Sequence, residues 1–480
     1  MSENGNSSKK VSGKRLFILG TSAIVGPWLI LTSQWIGYTG LSVTLAFILC
    51  GLLCVPIALC YGELASIFKT RGGSYEYVRT AYNREAGYWV SWTTMFTYIV
   101  LICFQVLCVT FLAQFIFGFT FSMVQTIAIA VLLMVAMTLL NTRNITVITG
   151  IQAVMFIILV AVGIISIVAF ITNGSFDIGN AGDFFQMGMV GHNDIIGMDA
   201  GFLLAIAALV TMFFGFELIP QFAAESDYPP NKYWKLMFGG IVFVILFDAL
   251  ICFAEMGMPS IDPAMSTFEY ISSLYSDNGM VSALFAEAYV GDWLKFAIVA
   301  ANFCCMGCCL IGFWMGAARI LQAMGLTGAL PTVFGKVNKA GMPTTGNYFV
   351  LGMVFVLTMI ALSGPAWINA TFSLMALGVG FTYFGVSLAF LKLRKSRPDV
   401  QRPWKAPGGP IAGWVAVGAS AFMIIMMVYT VINAAINGDP TMAIMAIVFF
   451  AIIGLVRYIM KRDEEKHPER YEEEDLLLVE

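Results

Sequence analysis

Histidine is almost absent from this chain: among 480 residues only His192 and His467 carry an imidazole, one in a polar connection and one near the C-terminus. That speaks against a histidine-based catalytic centre or a His-ligated metal inside the apolar part of the chain. Charge is scarce as well. Asp, Glu, Lys and Arg make up 11% of the residues against 59% hydrophobic, with a mean hydropathy of +0.83. Such a balance excludes a soluble globular domain and leaves an all-α polytopic membrane protein whose first partner is the lipid bilayer. No phosphate-binding loop or nucleic-acid motif is present, so neither a nucleotide cofactor nor a nucleic-acid partner is expected. A cleavable secretory signal is not read either: residues 1–10 are polar, and the apolar run from Leu16 is too long for one. The ten cysteines all fall inside apolar runs. They cannot form an extracellular disulfide framework and read as small packing residues.

What the chain does have is apolar runs of about 20 residues, the length that crosses a hydrocarbon core of about 30 Å. They predict twelve spans, at about 16–36, 40–61, 86–115, 121–140, 150–172, 200–222, 236–256, 291–316, 345–362, 366–391, 411–433 and 440–460. Lys and Arg then alternate with this count: of the 26, all but Lys295 fall on one side. The connections 173–199 and 257–290 on the other side are acidic. The positive-inside rule therefore predicts a cell-membrane protein with both termini in the cytoplasm. Five segments are expected: a cytoplasmic N-terminal segment 1–15, a ten-helix core 16–391, a cytoplasmic loop 392–410 with a Pro/Gly turn, helices 411–460, and an acidic cytoplasmic tail 461–480.

Two spans are unusual. The sixth contains Gly215, Glu217 and Pro220 within Ala207–Pro220. A carboxylate at membrane depth is costly and marks a functional site by default. Pro220 removes a helical N–H and crowds the carbonyl of Phe216. A helix broken near the midplane is expected, with freed backbone lining a cavity. The plainer alternative is a Pro-kinked span whose Glu217 ties two helices together. Five spans earlier, Gly20-Thr-Ser-Ala-Ile-Val-Gly26-Pro27-Trp28 reads as a second unwound segment. Broken helices at matching positions of two halves point to an inverted-repeat transporter, with spans 1–5 and 6–10 as the repeats.

Further motifs follow in order: Glu63-Leu-Ala-Ser, Gly72-Gly73-Ser-Tyr-Glu-Tyr77, Gly87-Tyr-Trp89, Phe214-Gly-Phe-Glu217, Ala223-Ala-Glu-Ser-Asp-Tyr-Pro229, Arg319 to Gly325 with Leu330-Pro331, and Arg402-Pro-Trp-Lys-Ala-Pro407. In this order and at these spacings the sequence resembles the amino acid–polyamine–organocation permeases over nearly its whole length. The resemblance implies a leucine-transporter-type fold: a 5+5 inverted repeat with broken helices 1 and 6, plus two extra helices. It implies alternating-access transport of small amino acids, coupled to protons or run as exchange. A permease for polyamines or other organic amines is the alternative. A channel is less favoured, because no repeated polar ring or selectivity loop appears, and so is an intramembrane enzyme.

The resemblance places the substrate against Ser22, Ala23, Ile24, Gly26 and Trp28 of the first break and Phe214, Gly215, Phe216 and Glu217 of the second. Trp92, Thr93 and Tyr98 of span 3 and Asn302 of span 8 face the site in this family, and Asn369, Thr371 and Ser373 give span 10 a polar end. Trp92 and Phe213 are equally at home as ordinary packing or interface groups. Where the family reads Gly-Ser-Gly, this chain has Gly26-Pro27-Trp28. Pro27 brings no amide for a carboxylate, and Trp28 brings bulk. Ala224 stands at the first Glu of an acidic pair, which weakens an ion pair expected there. Glu217 is the candidate for a substrate ammonium or a coupling proton. Asp248 is a second buried-acid candidate, and Glu255 reads as an interfacial acid. The cluster Cys304-Cys305-Met-Gly-Cys308-Cys309 shares helix faces at i,i+4, but helix packing explains it better than a metal site. Sodium-coupled relatives use Ser or Thr in span 8, where this chain has none, and some proton-coupled ones use a Lys in span 5, where Gln152 is the main polar group. The protein is expected as a monomer or homodimer.

Overall fold

A computed structural model describes residues 10–68, 71–181, 200–274 and 279–468. His192, most of the acidic connection after span 5, and the last twelve residues of the acidic tail lie outside the described residues, as does the side chain of Asn369.

Ten helices among the described residues are long and apolar enough to cross a membrane, and a bent pair brings the number to eleven. In a bilayer a helix satisfies every backbone group within the segment, so each apolar run becomes one. The bent pair is the first predicted span: α1 (Gly13–Ile24) and α2 (Trp28–Thr39) meet at 49°. After it come α3 (Val43–Ile67), the short α4 (Ser74–Ala81), α5 (Arg84–Phe117), α6 (Met123–Leu140) and α7 (Ile145–Ile171). The sixth predicted span is the interrupted one. It consists of α8 (Ala200–Leu209), a 3-10 turn over Val210–Phe213, and the four-residue α9 (Leu218–Gln221). The remainder is α10 (Tyr233–Met256), two short loop helices α11 (Thr267–Ser273) and α12 (Val281–Tyr289), α13 (Asp292–Leu326), α14 (Thr344–Ala361), α15 (Pro365–Ser396), α16 (Pro410–Ile436) and α17 (Thr441–Lys466).

Caps fix several boundaries. Asn83 accepts the Ala86 amide at 2.8 Å to start α5, and Gly118, at φ +68°, ends it. Ser122 and Gln125 form a capping box at α6, and Ser266 and Glu269 form another at α11. Only 17% of the apolar window of α17 and 22% of that of α6 is buried, against 67% for α13 and 61% for α5. The first two are therefore peripheral. Their exposed Leu132, Val135, Ile447 and Ile452 form part of the apolar exterior.

One end of the bundle is held by a web of charged groups. Glu63 at the end of α3 accepts Arg394 Nε at 2.9 Å, Arg402 Nε at 3.1 Å and the Ala406 amide at 2.8 Å. Glu225 pairs with Arg71 at 2.9 Å and with the buried Arg319 at 3.1 Å. The ion pair that Ala224 put in question thus forms through the second acid of the motif. Val11 donates to the Glu225 carbonyl at 2.9 Å, which pins the N-terminal segment to the same end.

Candidate functional site

The first break follows from two residues. The carbonyls of Ala23, Ile24 and Val25 would each accept from the amide four positions on. Pro27 has no amide, Trp28 N–H turns back to the Gly26 carbonyl at 2.8 Å, and Leu29 N–H goes to Asn302 Oδ1 at 3.1 Å. Asn302 is anchored in turn by its own donation to the Ile298 carbonyl at 3.0 Å. The predicted span 8 asparagine therefore serves as the cap of α2. Freed carbonyls meet thiols: Cys305 donates to Val25 at 3.0 Å, and Cys309 lies 3.7 Å from the carbonyls of Ser22, Ala23 and Val25. Cys308 lies 3.5 Å from the Gln152 carbonyl. The cysteine cluster of α13 is thus seated against the back of the break. Gln152 completes this side, donating to Ser22 Oγ at 3.0 Å and to the Cys308 carbonyl at 3.1 Å.

Gly215 makes the second break. Its φ of +145° is a conformation that other residues rarely adopt. Phe214 before it is extended, and the helix resumes only at Leu218. The Phe216 carbonyl, expected to be released by Pro220, accepts the Ile219 amide at 3.2 Å. Pro220 itself sits in the first turn of α9, where a helix has no use for the missing N–H. Glycine rather than proline breaks this span.

The two breaks touch. A Cβ on Gly215 would lie 3.2 Å from Ile24 Cγ1 and 3.3 Å from Ala23, and a Cβ on Gly20 would lie 2.6 Å from Ile219 Cδ1. Among the described residues, the amides of Gly26 and Phe216 meet no protein acceptor, and the buried indole N–H of Trp28 has none either.

Glu217 lies at the end of the second break, fully buried. Its Oε1 accepts the Tyr98 hydroxyl at 3.1 Å. Its Oε2 accepts the Gly215 amide at 2.8 Å and the Tyr383 hydroxyl at 3.4 Å. Gln221 donates to the Tyr98 oxygen at 2.7 Å, so the ring is held from both sides. Among the described residues three neutral donors and no cation surround the carboxyl group, inside an aromatic box: Phe214 packs on Tyr98 and Tyr383, and Phe216 stacks on Tyr383 with ring centroids 5.5 Å apart. Tyr61 closes the box edge-on to Phe216. Phe213, by contrast, turns toward Phe47.

Other residues lie elsewhere. Trp92 packs on Tyr88 and Phe349, while Thr93 donates to the Val90 carbonyl and Thr371 to that of Trp367. Asp248 is fully buried as expected. Glu255, read as interfacial, is fully buried too, because α12 covers it and Ser282 donates to its Oε1. Tyr383, Gln221 and Tyr61 were not among the sequence candidates. Their signal was a polar group inside an apolar run, which needs a partner once buried.

Comparison with known proteins agrees with this arrangement. Residues 11–468 match the family profile described as amino acid permease. The probable threonine/serine transporter YbxG of Bacillus subtilis (strain 168) is 22% identical over 466 residues, covering 95% of this chain and 96% of its own length. The branched-chain amino acid permease BcaP of the same organism is 22% identical over 462 residues, 93% of this chain and 91% of the relative. The D-serine/D-alanine/glycine transporter of Escherichia coli (strain K12) is 23% identical over 445 residues, 87% and 88% respectively. With helices that meet at a paired break and a family match over nearly its full length, the chain belongs to the amino acid permease family and is a multi-pass membrane transporter, not an enzyme.

Proposed function

We propose that this protein is a secondary active transporter that carries small amino acids across the cell membrane by alternating access. The contact between the two breaks is the observation that carries the reading. It supports a 5+5 inverted repeat in which α1/α2 and α8/α9 are equivalent broken helices. Twelve spans follow when the bent pair and the α8–α9 segment each count as one. Residues 16–391 then form the transport core, 411–460 the two extra helices, and 1–15, 392–410 and 461–480 the cytoplasmic parts. The charged web at one end supports cytoplasmic termini.

In this reading the substrate carboxylate meets the Gly26 amide and the Trp28 indole N–H, both left without protein acceptors. The indole supplies the donor that Pro27 lacks. Its neighbours Ser22, Ala23 and Ile24, with Phe214, Gly215 and Phe216, form the walls. Asn302 positions α2, whereas Trp92 packs on Tyr88 and Phe349 and is left out of the site. Small amino acids are favoured over polyamines because three donors already occupy Glu217, which leaves less of it for an ammonium. The names of the relatives, which concern threonine and serine, branched-chain amino acids, and D-serine, D-alanine and glycine, support the same class.

For coupling, Glu217 is the proton carrier: it is a dry carboxyl group with no counter-charge, reached by two titratable hydroxyls. Gln152 bridges Ser22 and Cys308 with its amide, so the gap behind the first break is closed by a neutral side chain. This arrangement favours protons or exchange over sodium.

The test is counterflow. Vesicles containing the purified protein and preloaded with unlabelled L-serine, L-threonine or L-alanine should accumulate the labelled amino acid in a saturable way. Uptake that is linear in concentration and indifferent to preloading would contradict a carrier and indicate a channel.

A further inference from the structure

A second set of buried acids lies on α10, outside the contacts that hold Glu217. Asp248, Cys252 and Glu255 follow at i, i+4 and i+7, which places them on one stripe of the helix. All three are fully buried. From Asp248 to Glu255 the stripe rises about 10 Å, at 1.5 Å per residue. At its α12 end, Ser282 donates to Glu255 Oε1, the Thr32 hydroxyl of α2 lies beside the carboxyl group, and Oε2 has no partner. At its inner end, neither oxygen of Asp248 has a hydrogen-bond partner. Cys305 of α13 stands near Asp248, and its thiol donates to Val25 in the first break. The stripe therefore runs from the loop helices to the back of the paired break.

Among the described residues the surroundings offer no counter-charge. On α3, which packs along α10, Cys50, Cys54 and Cys60 are the titratable groups before Tyr61 and Glu63 near its far end. α13 contributes Cys305, and α10 itself contributes Cys252. The lysine and arginine of α1 stand at its far end, α2 and α7 have no charged residue, and Glu287 of α12 is paired with Lys295. An unpaired carboxylate in such a place costs several kcal/mol. A metal cation would need several oxygen ligands, whereas the nearby groups are thiols, and the Val25 carbonyl already accepts one of them. A proton needs neither space nor further ligands.

We propose that Asp248 and Glu255 are two stations of a proton-binding site, separate from Glu217, that connects the α12 face to the back of the first break. One hydron moves in each step. An O–H bond forms at the receiving carboxylate oxygen as the O–H bond of the donor breaks, and no electrons are transferred. The donor is hydronium for Glu255. For Asp248 it is the Glu255 acid, relayed through water or by exchange at the Cys252 thiol. The use of this proton in transport rests on the carrier reading above; its presence on the acids does not.

The experiment uses the purified full-length protein with Asp248→Asn and Glu255→Gln variants, and Glu217→Gln as the reference. Infrared difference spectra taken across a pH titration follow the carbonyl band of protonated carboxylic acids. Each α10 variant should remove its own share of that band, distinct from the share removed by Glu217→Gln. In vesicles with a trapped pH dye, the hydron movement that accompanies an L-serine gradient should fall about a hundredfold in Asp248→Asn, the scale of losing a positioned proton-transfer group. An unchanged band in both variants overturns the proposal, and so does a lost band with undiminished hydron movement. If the unaltered protein moves no L-serine, the carrier reading for that substrate fails by itself, and the infrared bands still decide the proton site. Should Asp248→Asn not fold, Glu255→Gln carries both arms.

Discussion

Gly20→Ala would wedge apart α1 and α9, the helices that flank the two breaks, and a double-variant cycle can measure how firmly they are pressed together. The added Cβ would lie 2.6 Å from Ile219 Cδ1 and overlap its Cγ1 more deeply. Residue 20 is in regular helix, with its surroundings fully buried, so the short α9 must shift. Overpacking of this kind costs about 1–3 kcal/mol. Replacing a helical glycine by alanine returns about 1 kcal/mol through backbone entropy, so the net single-variant cost is about 0–2 kcal/mol. Ile219→Ala empties a fully buried site at a cost of about 2–5 kcal/mol. In the double variant the new methyl group enters the space that Ile219 vacates. The double variant should therefore be more stable than the sum of the singles by about 0.5–3 kcal/mol. The helix-propensity contribution cancels in the cycle, which isolates the contact. Thermal or denaturant unfolding in one detergent gives the four stabilities. Additivity within about 0.3–0.5 kcal/mol would refute the contact between the breaks, and with it the geometry of the proposed site.

Three further outcomes are expected. Trp28→Phe keeps the ring and removes the unpartnered N–H, so amino acid affinity should weaken about tenfold or more, the loss of one hydrogen bond to a charged group. Isothermal titration checks this, and an unchanged Kd would remove Trp28 from the carboxylate site. Glu217→Gln should abolish proton-driven uptake while the protein still inserts and melts cooperatively; pH-dependent uptake equal to that of the unaltered protein would sink the coupling role. Arg319→Met leaves a buried ion pair broken and should cost about 3–5 kcal/mol, whereas Arg71→Met, at the more exposed side of Glu225, should cost about 0–1 kcal/mol. Equal shifts in melting temperature for the two would contradict the burial argument.

Much of the fold was legible because hydrophobic length is a strong signal in a membrane protein. Each of the twelve apolar runs corresponds to helical structure, and the two runs with Gly26-Pro27 and with Gly215 and Glu217 are the ones that break. Helix ends were less legible. α17 continues to Lys466, because a charged helix end is tolerated beyond the hydrocarbon and leaves no hydrophobic trace, and α13 continues to Leu326 past Arg319 and Gln322, which are buried in the protein. The short helices α4, α11 and α12 carry mixed residues and escape a search for long apolar runs. At the site, Glu217 and the glycines were visible because they are expensive in a span. Tyr383 and Ser282 were not: each takes its role from a partner far away in sequence, at |i−j| of 166 and 27. Glu255 was misplaced for the same reason, since its burial depends on α12 folding over it.

The most direct test of the central claim is thermal stabilisation of the purified protein by a panel of zwitterionic amino acids and of amines without a carboxylate. A ligand that binds only the folded state at a hundred times its Kd adds about 2.7 kcal/mol of stability. The paired-break account predicts stabilisation by small amino acids such as serine, threonine and alanine, and none by putrescine or spermidine. Stabilisation by the amines alone would contradict it, making Glu217 the substrate anchor and removing carboxylate capture from the first break.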